Sequence, residues 1–251
     1  MIYRSNLESP DLAPHFAHIH SRPMAHSNGH DVPSDWADKA DDDPHFGLYK
    51  RCGFWTHDEA AILYSVVKAI GGRWLDIGAH TGWTGAHIAA AGAQAVCLEP
   101  MAAVAEFHRR YHDNMRAVPR HPTMLSFRSD EYFDLLDNQP SHCYPIDGVF
   151  DGVVIDGDHD RPHPLRDATN AAKHLTDRGV ILLHDFIGRP VQEAVEYLLD
   201  HGFHCRAYWT PHMVACCWRG DFTPPVHLRD PQINWERVRQ TMPDFDFTRC
   251  E

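Results

Sequence analysis

Two groups of residues in this sequence have the types and spacing to do chemistry. The first is Leu75-Asp76-Ile77-Gly78-Ala79-His80-Thr81-Gly82-Trp83, an apolar run that ends in an acid and opens through two glycines. Gly78 and Gly82 let the backbone turn, and approach a ligand, without a Cβ penalty. Asp76, just ahead of the first glycine, suits a cationic ligand and would repel a pyrophosphate. Glu99 closes the next apolar run about 20 residues on, where a carboxylate can accept from both hydroxyls of a ribose. His80 stands where the dinucleotide fingerprint G-x-G-x-x-G needs a glycine, which argues against a nicotinamide cofactor.

The second group pairs Val154-Ile155-Asp156-Gly157-Asp158-His159 with Ile181-Leu182-Leu183-His184-Asp185-Phe186. Each follows an apolar run that reads as a strand, and neighbouring strands would project Asp156 and Asp185 into one cleft. Two carboxylates that close repel each other unless a proton or a cation lies between them. Hard oxygen donors suit Mg²⁺ or a similar divalent ion, and His184 would tilt the preference toward Mn²⁺, Fe²⁺ or Zn²⁺. Asp158 could instead cap the following helix, and His184 could pack or hydrogen-bond locally.

The first group resembles the opening motif of class I S-adenosylmethionine-dependent methyltransferases: hydrophobic, acid, x, Gly, x, x, x, Gly. The resemblance implies that Asp76, Gly78, Ala79, His80, Thr81 and Gly82 lie beside the methionine part of that cofactor. It further implies that Glu99 holds the ribose, that Ser129 and Asp130 sit at the adenine, and that Asp156 borders the cofactor. The second group is similar to the metal-dependent branch, which includes catechol-type, caffeoyl-CoA-type and macrolide-sugar O-methyltransferases. By that resemblance Asp156 and Asp185 hold a divalent metal, with His184 expected beside them as a further ligand from its place next to Asp185, and His159 stands at the position of the general base. The relatives carry a second acid or amide beside the fifth-strand Asp, whereas here its neighbours are His184 and Phe186. The function expected is metal-assisted O-methylation of a small hydroxylated metabolite. The alternatives are a metal-independent N- or O-methyltransferase and a cofactor-binding protein without catalysis.

The elements that must position these residues follow from periodicity. Thr56-His57-Asp58-Glu59 has capping-box form and opens a helix over about residues 57–70, with Ile62, Leu63, Val66, Val67 and Ile70 on one face. Strands are expected at Arg73–Ile77, Gln94–Leu98, Thr123–Phe127, Gly148–Ile155 and Gly179–Leu183. Helices are expected at about Trp83–Ala91, Met101–Arg116, Glu131–Leu136, Pro164–Leu175 and Val191–His201. Phe203–Trp209 and Met213–Trp218 read as an antiparallel hairpin. Repeated strand–helix units imply a Rossmann-like α/β fold, a seven-stranded and mostly parallel sheet with helices on both faces. Ligands of such sheets bind beyond the carboxyl ends of the strands. The Asp76–Gly82 loop, Glu99, Asp130, Asp156 and Asp185 all fall there.

Around this domain, residues 56–220, the chain reads as an N-terminal arm or lid over 1–55 and a Pro-rich tail over 221–251 that packs on the domain. The arm holds His15, His18, His20, His26 and His30 at irregular spacing, which reads as solvated polar chain rather than a metal site. Trp36, Phe46 and Trp55 could line a substrate pocket or close the core. His108 and His112, one helical turn apart on a charged stretch, read as surface.

Composition narrows the partners. Of 251 residues, 43% are apolar and 23% charged, the balance of a globular protein able to build a sizeable core. The net charge of −12 and the lack of a basic patch argue against nucleic acid. No run approaches the ~20 apolar residues of a membrane span. Seven cysteines without C-x-x-C spacing indicate neither a disulfide scaffold nor a zinc ribbon. The start has no apolar signal core, so a reducing, cytoplasmic setting is expected, with a small-molecule substrate and homo-oligomerisation open.

Overall fold

The computed structural model describes residues 6–12, 16, 55–116, 118, 120–138, 148–210, 212–231 and 233–250. Most of the expected arm, with Trp36, Phe46 and the five arm histidines, lies outside these residues, as does 139–147.

Helix α1 spans His57–Ile70 and starts on a complete capping box. Thr56 Oγ1 accepts from the Glu59 backbone N–H at 3.2 Å, and the Glu59 carboxylate accepts from the Thr56 N–H at 2.8 Å. Strand β1 (Arg73–Ile77), α2 (Trp83–Ala90) and β2 (Gln94–Leu98) follow, with ends close to those expected. The single helix expected over Met101–Arg116 is two elements, a 3-10 turn at Pro100–Ala103 and α3 at Ala105–Met115. Glu99 caps the first turn through Met101 N–H, and Val104 is extended, so the helix restarts. Strand β3 is shorter than expected (Thr123–Leu125), and α4 runs longer, over Ser129–Asn138. Next come β4 (Phe150–Ile155), α5 (His163–Lys173), β5 (Leu175–Leu183) and α6 (Arg189–Asp200). The expected hairpin is β6 (His204–Tyr208) with β7 (Val214–Trp218), and the tail carries a short α7 at Trp235–Gln240.

The seven strands form one sheet in the order β3-β2-β1-β4-β5-β7-β6. The first five are parallel; β7 is antiparallel to both β5 and β6. Successive side chains point to opposite faces, so the strands divide between two cores. Leu75, Ile77, Val153, Ile155, Ile181 and Leu183 join one, together with Trp235, Val238, Met242 and Phe245 of the tail. Trp74, Val154, Val180 and Leu182 join the other, with α1 and with Leu12, Phe16 and Trp55 ahead of it.

Register decides what the sheet can present. Ile77 pairs with Leu98 and with Ile155, and Ile155 pairs with Leu183. These four strands end level, so the residues that follow (Gly78, Glu99, Asp156 and His184) start side by side. The chain reverses its direction across the sheet between β1 and β4, which leaves a crevice between the loops that follow them. Among the described residues no helix is long and apolar enough to cross a membrane.

Candidate functional site

At that crevice lies a cleft of about 360 Å³ lined by Gly78, His80, Glu99, Pro100, Asp156, Gly157, Asp158, His159 and Asp185. Gly78 is essential to its shape. Its φ of +83° is left-handed, and a side chain there would collide with the Asp156 carbonyl, so β1 and β4 approach too closely for any Cβ. Gly82, at φ +94°, opens α2 where a Cβ would run into Met115 and Tyr111. The loop between them is fixed by backbone: Gly78 and Ala79 N–H both donate to Leu98 O, and Gly82 N–H donates to Ala79 O. Thr81 is buried, and its carbonyl accepts from Asn114. Ala79, Thr81 and Gly82 therefore build the loop, while Gly78 and His80 face the cleft.

Glu99 sits at the rim. One carboxylate oxygen accepts from His80 N–H at 3.1 Å and the other from Met101 N–H at 3.0 Å. Asp76 is placed differently from the expectation that it faces a ligand. It is fully buried beneath the loop, and its Oδ2 accepts from Thr84 Oγ1 at 2.6 Å and faces Cys97. Burial, reinforced by the charges of Asp156 and Glu99 and opposed by the Thr84 bond, pushes its carboxyl up to about 7. Oδ1 has no partner. Ser129 and Asp130 are also engaged elsewhere: Ser129 Oγ donates to Asp167 at 2.6 Å, and Asp130 pairs with Arg128 and Arg166.

The second group does converge. His159 Nε2 lies 3.3 Å from Asp156 Oδ1 and 3.5 Å from Asp185 Oδ2. Asp185 reaches the cleft from a left-handed backbone, φ +54°, which Asp tolerates better than most residues. His184 is fully buried behind it, with Nδ1 3.0 Å from Asp156 Oδ1 and Nε2 3.4 Å from Glu59 Oε2. Ionised carboxylates only accept, so both ring nitrogens of His184 carry protons. Burial opposes that charge, but Asp156, Asp185 and Glu59 outweigh it and hold the ring protonated well above the usual histidine range. The carboxylates respond in kind. Burial pushes Asp185 and Asp156 up, yet the imidazoles of His184, His159 and, for Asp185, His212 bring both below the usual range. For His159, burial lowers the pKa and the two aspartates raise it, with a net rise.

Two members of this cluster, Glu59 and His212, were not predicted as site residues, and Trp55 was expected only to line a substrate pocket or close the core. His212 Nδ1 is 2.6 Å from Asp185 Oδ1, and its backbone N–H donates to Glu59 Oε1 at 3.1 Å. Trp55 Nε1 donates to Asp156 Oδ2 at 2.8 Å, and its ring stacks on His184 at 4.7 Å. Glu59 is buried at the base of the cluster. The available signal for Glu59 was its place in a capping box, which indicates a helix start and nothing more. His212 sits in a hairpin turn with no motif around it. Asp158 and His163 lie 3.6 Å apart at the outer edge, and Asp158 accepts from Asp160 N–H rather than capping α5. His108 and His112 are exposed on α3, as expected, with Nε2 atoms 3.1 Å apart.

The donors available are carboxylate oxygens and imidazole nitrogens in two overlapping sets, Asp156–His159–Asp185 and His184–Asp185–His212. Such a set accommodates either protons or a divalent cation.

Residues 75–186 match a family of methyltransferase domains. No curated protein matches the chain. Among solved structures, an S-adenosylhomocysteine-bound methyltransferase from Podospora anserina is similar over 86% of this chain and 91% of its own, at 13% identity and a TM-score of 0.56. An O-methyltransferase from Bacillus cereus, in complex with S-adenosylhomocysteine, matches 64% of this chain and 80% of its own, at 13% identity and a TM-score of 0.51. These likenesses establish a common fold.

Proposed function

We propose that the chain is an S-adenosylmethionine-dependent methyltransferase, a reading supported by the match of residues 75–186 to a family of methyltransferase domains, and that it methylates a hydroxyl oxygen of a small metabolite with the help of a divalent cation. The observation that carries this reading is the meeting of Asp156, Asp185 and His159 Nε2 in the same cleft as Gly78, His80 and Glu99.

The cleft fits the cofactor on two counts. Gly78 leaves backbone exposed where a side chain could not stand, and Glu99 presents a carboxylate at the rim. When bound, S-adenosylmethionine supplies a methyl group on a positively charged sulfur. Glu99 would accept from its ribose hydroxyls, and the acidic lining suits its positive charge. Asp76, buried beneath the loop, supports this site from below. Glu99→Ala should weaken S-adenosylhomocysteine binding by about 1.5–3 kcal/mol, the range for losing hydrogen bonds to a charged acceptor. Calorimetry that finds wild-type affinity in this variant would remove Glu99 from the site.

The donor set also fits a cation. Separations of 3.3 and 3.5 Å from His159 Nε2 to the two carboxylates are those of donors around one small ion. Asp156 and Asp185 would hold it, and a bound cation supplies Lewis acidity that lowers the pKa of an acceptor hydroxyl. His184 has both nitrogens committed to carboxylates, so its part is to hold Asp156 rather than to ligate. His159 is the proton acceptor: Asp156 and Asp185 orient the ring and raise its basicity. Binding both reactants in one cleft replaces a bimolecular encounter with a positioned one. A second reading rests on the same distances, since His159 Nε2 could be a third ligand instead of a base.

The test is the product. Protein, S-adenosylmethionine, Mg²⁺ or Mn²⁺ and a panel of hydroxylated and amino acceptors should yield methyl ethers, read by mass spectrometry. Transfer to nitrogen alone would overturn the oxygen assignment.

A further inference from the structure

We propose that Glu59 is a positioning residue of the active site, holding His184 and the His212 turn so that Asp156 and Asp185 keep their places in the cleft. The proposal rests on the reading of Asp156 and Asp185 as the carboxylates that serve the methyl acceptor.

A capping-box glutamate needs one oxygen to accept from the N-cap backbone, and it does this equally well at the surface. Glu59 is 0% exposed. Taking a carboxylate out of water is unfavourable unless other groups replace the lost hydration, so its burial calls for an explanation beyond helix capping. The cap accounts for only one of its contacts, Thr56 N–H to Oε2. The other two reach across the chain: His184 Nε2 lies 3.4 Å from Oε2, and His212 N–H donates to Oε1 at 3.1 Å.

Each of those residues then reaches the cleft carboxylates, and His184 Nδ1 lies 3.6 Å from Asp185 Oδ2 as well. His184 Nδ1 is 3.0 Å from Asp156 Oδ1, and His212 Nδ1 is 2.6 Å from Asp185 Oδ1. Glu59 is therefore one residue removed from both aspartates, through His184 and through His212. The rings between them are stacked in a row: Trp55 on His184 at 4.7 Å and 17°, and His184 on His212 at 5.1 Å and 26°. Stacking fixes the plane of the His184 ring but not its rotation within that plane. Hydrogen bonds at both ring nitrogens fix the rotation, and Glu59 makes one of the two. The arrangement has the logic of the carboxylate–histidine pairs that orient ligands in metal sites, whose loss typically costs 10–100-fold in affinity or activity.

The test compares Glu59→Gln with Thr56→Ala. Glutamine keeps the shape and one acceptor oxygen, which serves either Thr56 N–H at the Oε2 place or His212 N–H at the Oε1 place, and removes the negative charge that His184 faces; Thr56→Ala weakens the helix cap alone. Glu59→Gln should lower kcat/KM for the acceptor by about 10–100-fold, with S-adenosylhomocysteine affinity unchanged. It should also shift the indole N–H resonance of Trp55, which donates to Asp156 Oδ2. Thr56→Ala should lower Tm and leave both readouts alone. Combining Glu59→Gln with His184→Gln should cost less than the two single losses together, because part of the effect of Glu59 runs through His184. If Glu59→Gln does not fold, Glu59→Asp, which withdraws the charge by one methylene, is read in the same way. An unmoved Trp55 resonance with kcat/KM within threefold overturns the proposal, as does a loss that only tracks the fall in Tm. A wild-type enzyme that makes no methyl ether would sink the oxygen assignment alone, because the Trp55 resonance reports on Glu59 without turnover.

Discussion

Exhaustive chelation is expected to abolish methyl transfer while leaving S-adenosylhomocysteine binding intact, and one divalent ion is expected to restore activity. Asp156 and Asp185 meet at one point without a lysine or arginine among the residues lining the cleft. Imidazoles meet their charge in the structure, and a cation would do the same with more effect on an acceptor hydroxyl. Lewis-acid stabilisation is worth several kcal/mol in a transition state, so its loss corresponds to at least about a hundredfold in rate. Asp185→Ala should reproduce the chelated enzyme, because Asp185 belongs to both donor sets. Asp185→Asn is the companion variant, since it keeps the shape against His212 and removes the charge. Full activity after chelation, with no metal by elemental analysis, would favour a cation-independent reaction in which the two aspartates serve only to hold His159.

His159→Ala should cut kcat by roughly 10²–10⁴-fold with little change in cofactor affinity. A base must be neutral to accept a proton, so kcat should rise with pH as His159 loses its own. The bond and charge of Asp156, with the charge of Asp185, favour the protonated ring against the opposing effect of burial. The His159 titration midpoint, read by NMR in cation-free protein, should therefore lie above the ordinary histidine value of about 6.5, and Asp185→Asn should bring it down. A bound cation acts in the same downward direction by repelling the imidazolium. His163→Ala is the matched control: it begins α5 nearby, faces Asp158, and should be nearly silent. Elemental analysis separates the two roles open to His159. Activity lost with the cation retained supports the base; activity and cation lost together support the ligand. A kcat within threefold of wild type would rule out both.

Much of this molecule is determined locally and is legible in the sequence. Alternating apolar runs and helical stripes specify the order of strands and helices. Thr56 and Glu59 mark the start of α1, and the spacing of Asp76, Gly78 and Gly82 marks a tight glycine loop between β1 and α2. Where local signals compete, the expected ends shift. Glu99-Pro100 caps a separate 3-10 turn, so the helix expected from Met101 begins instead at Ala105. Strand β5 extends back to Leu175, which pairs with Phe150, a contact between strands that no window of sequence contains.

The site divides along the same line. Asp156, His159 and Asp185 are readable because each follows an apolar strand, and the level register of β4 and β5 brings them together. Depth is a different matter. Asp76 and Glu99 look equivalent as acids near strand ends, yet one is buried on Thr84 and the other lies at the rim, because the loop folds over Asp76. Ser129 has its hydroxyl on Asp167, which only the packing of α4 beside α5 could decide. Glu59, His184 and His212 are 125 and 153 positions apart along their hydrogen bonds. Their meeting depends on α1 packing against one face of the sheet and on β7 inserting between β5 and β6. Residue type and spacing along a chain set what each segment can form and which groups it can offer. Which of those groups share a cleft, and which are buried to hold the others, is set by strand order and by the packing of helices on the sheet.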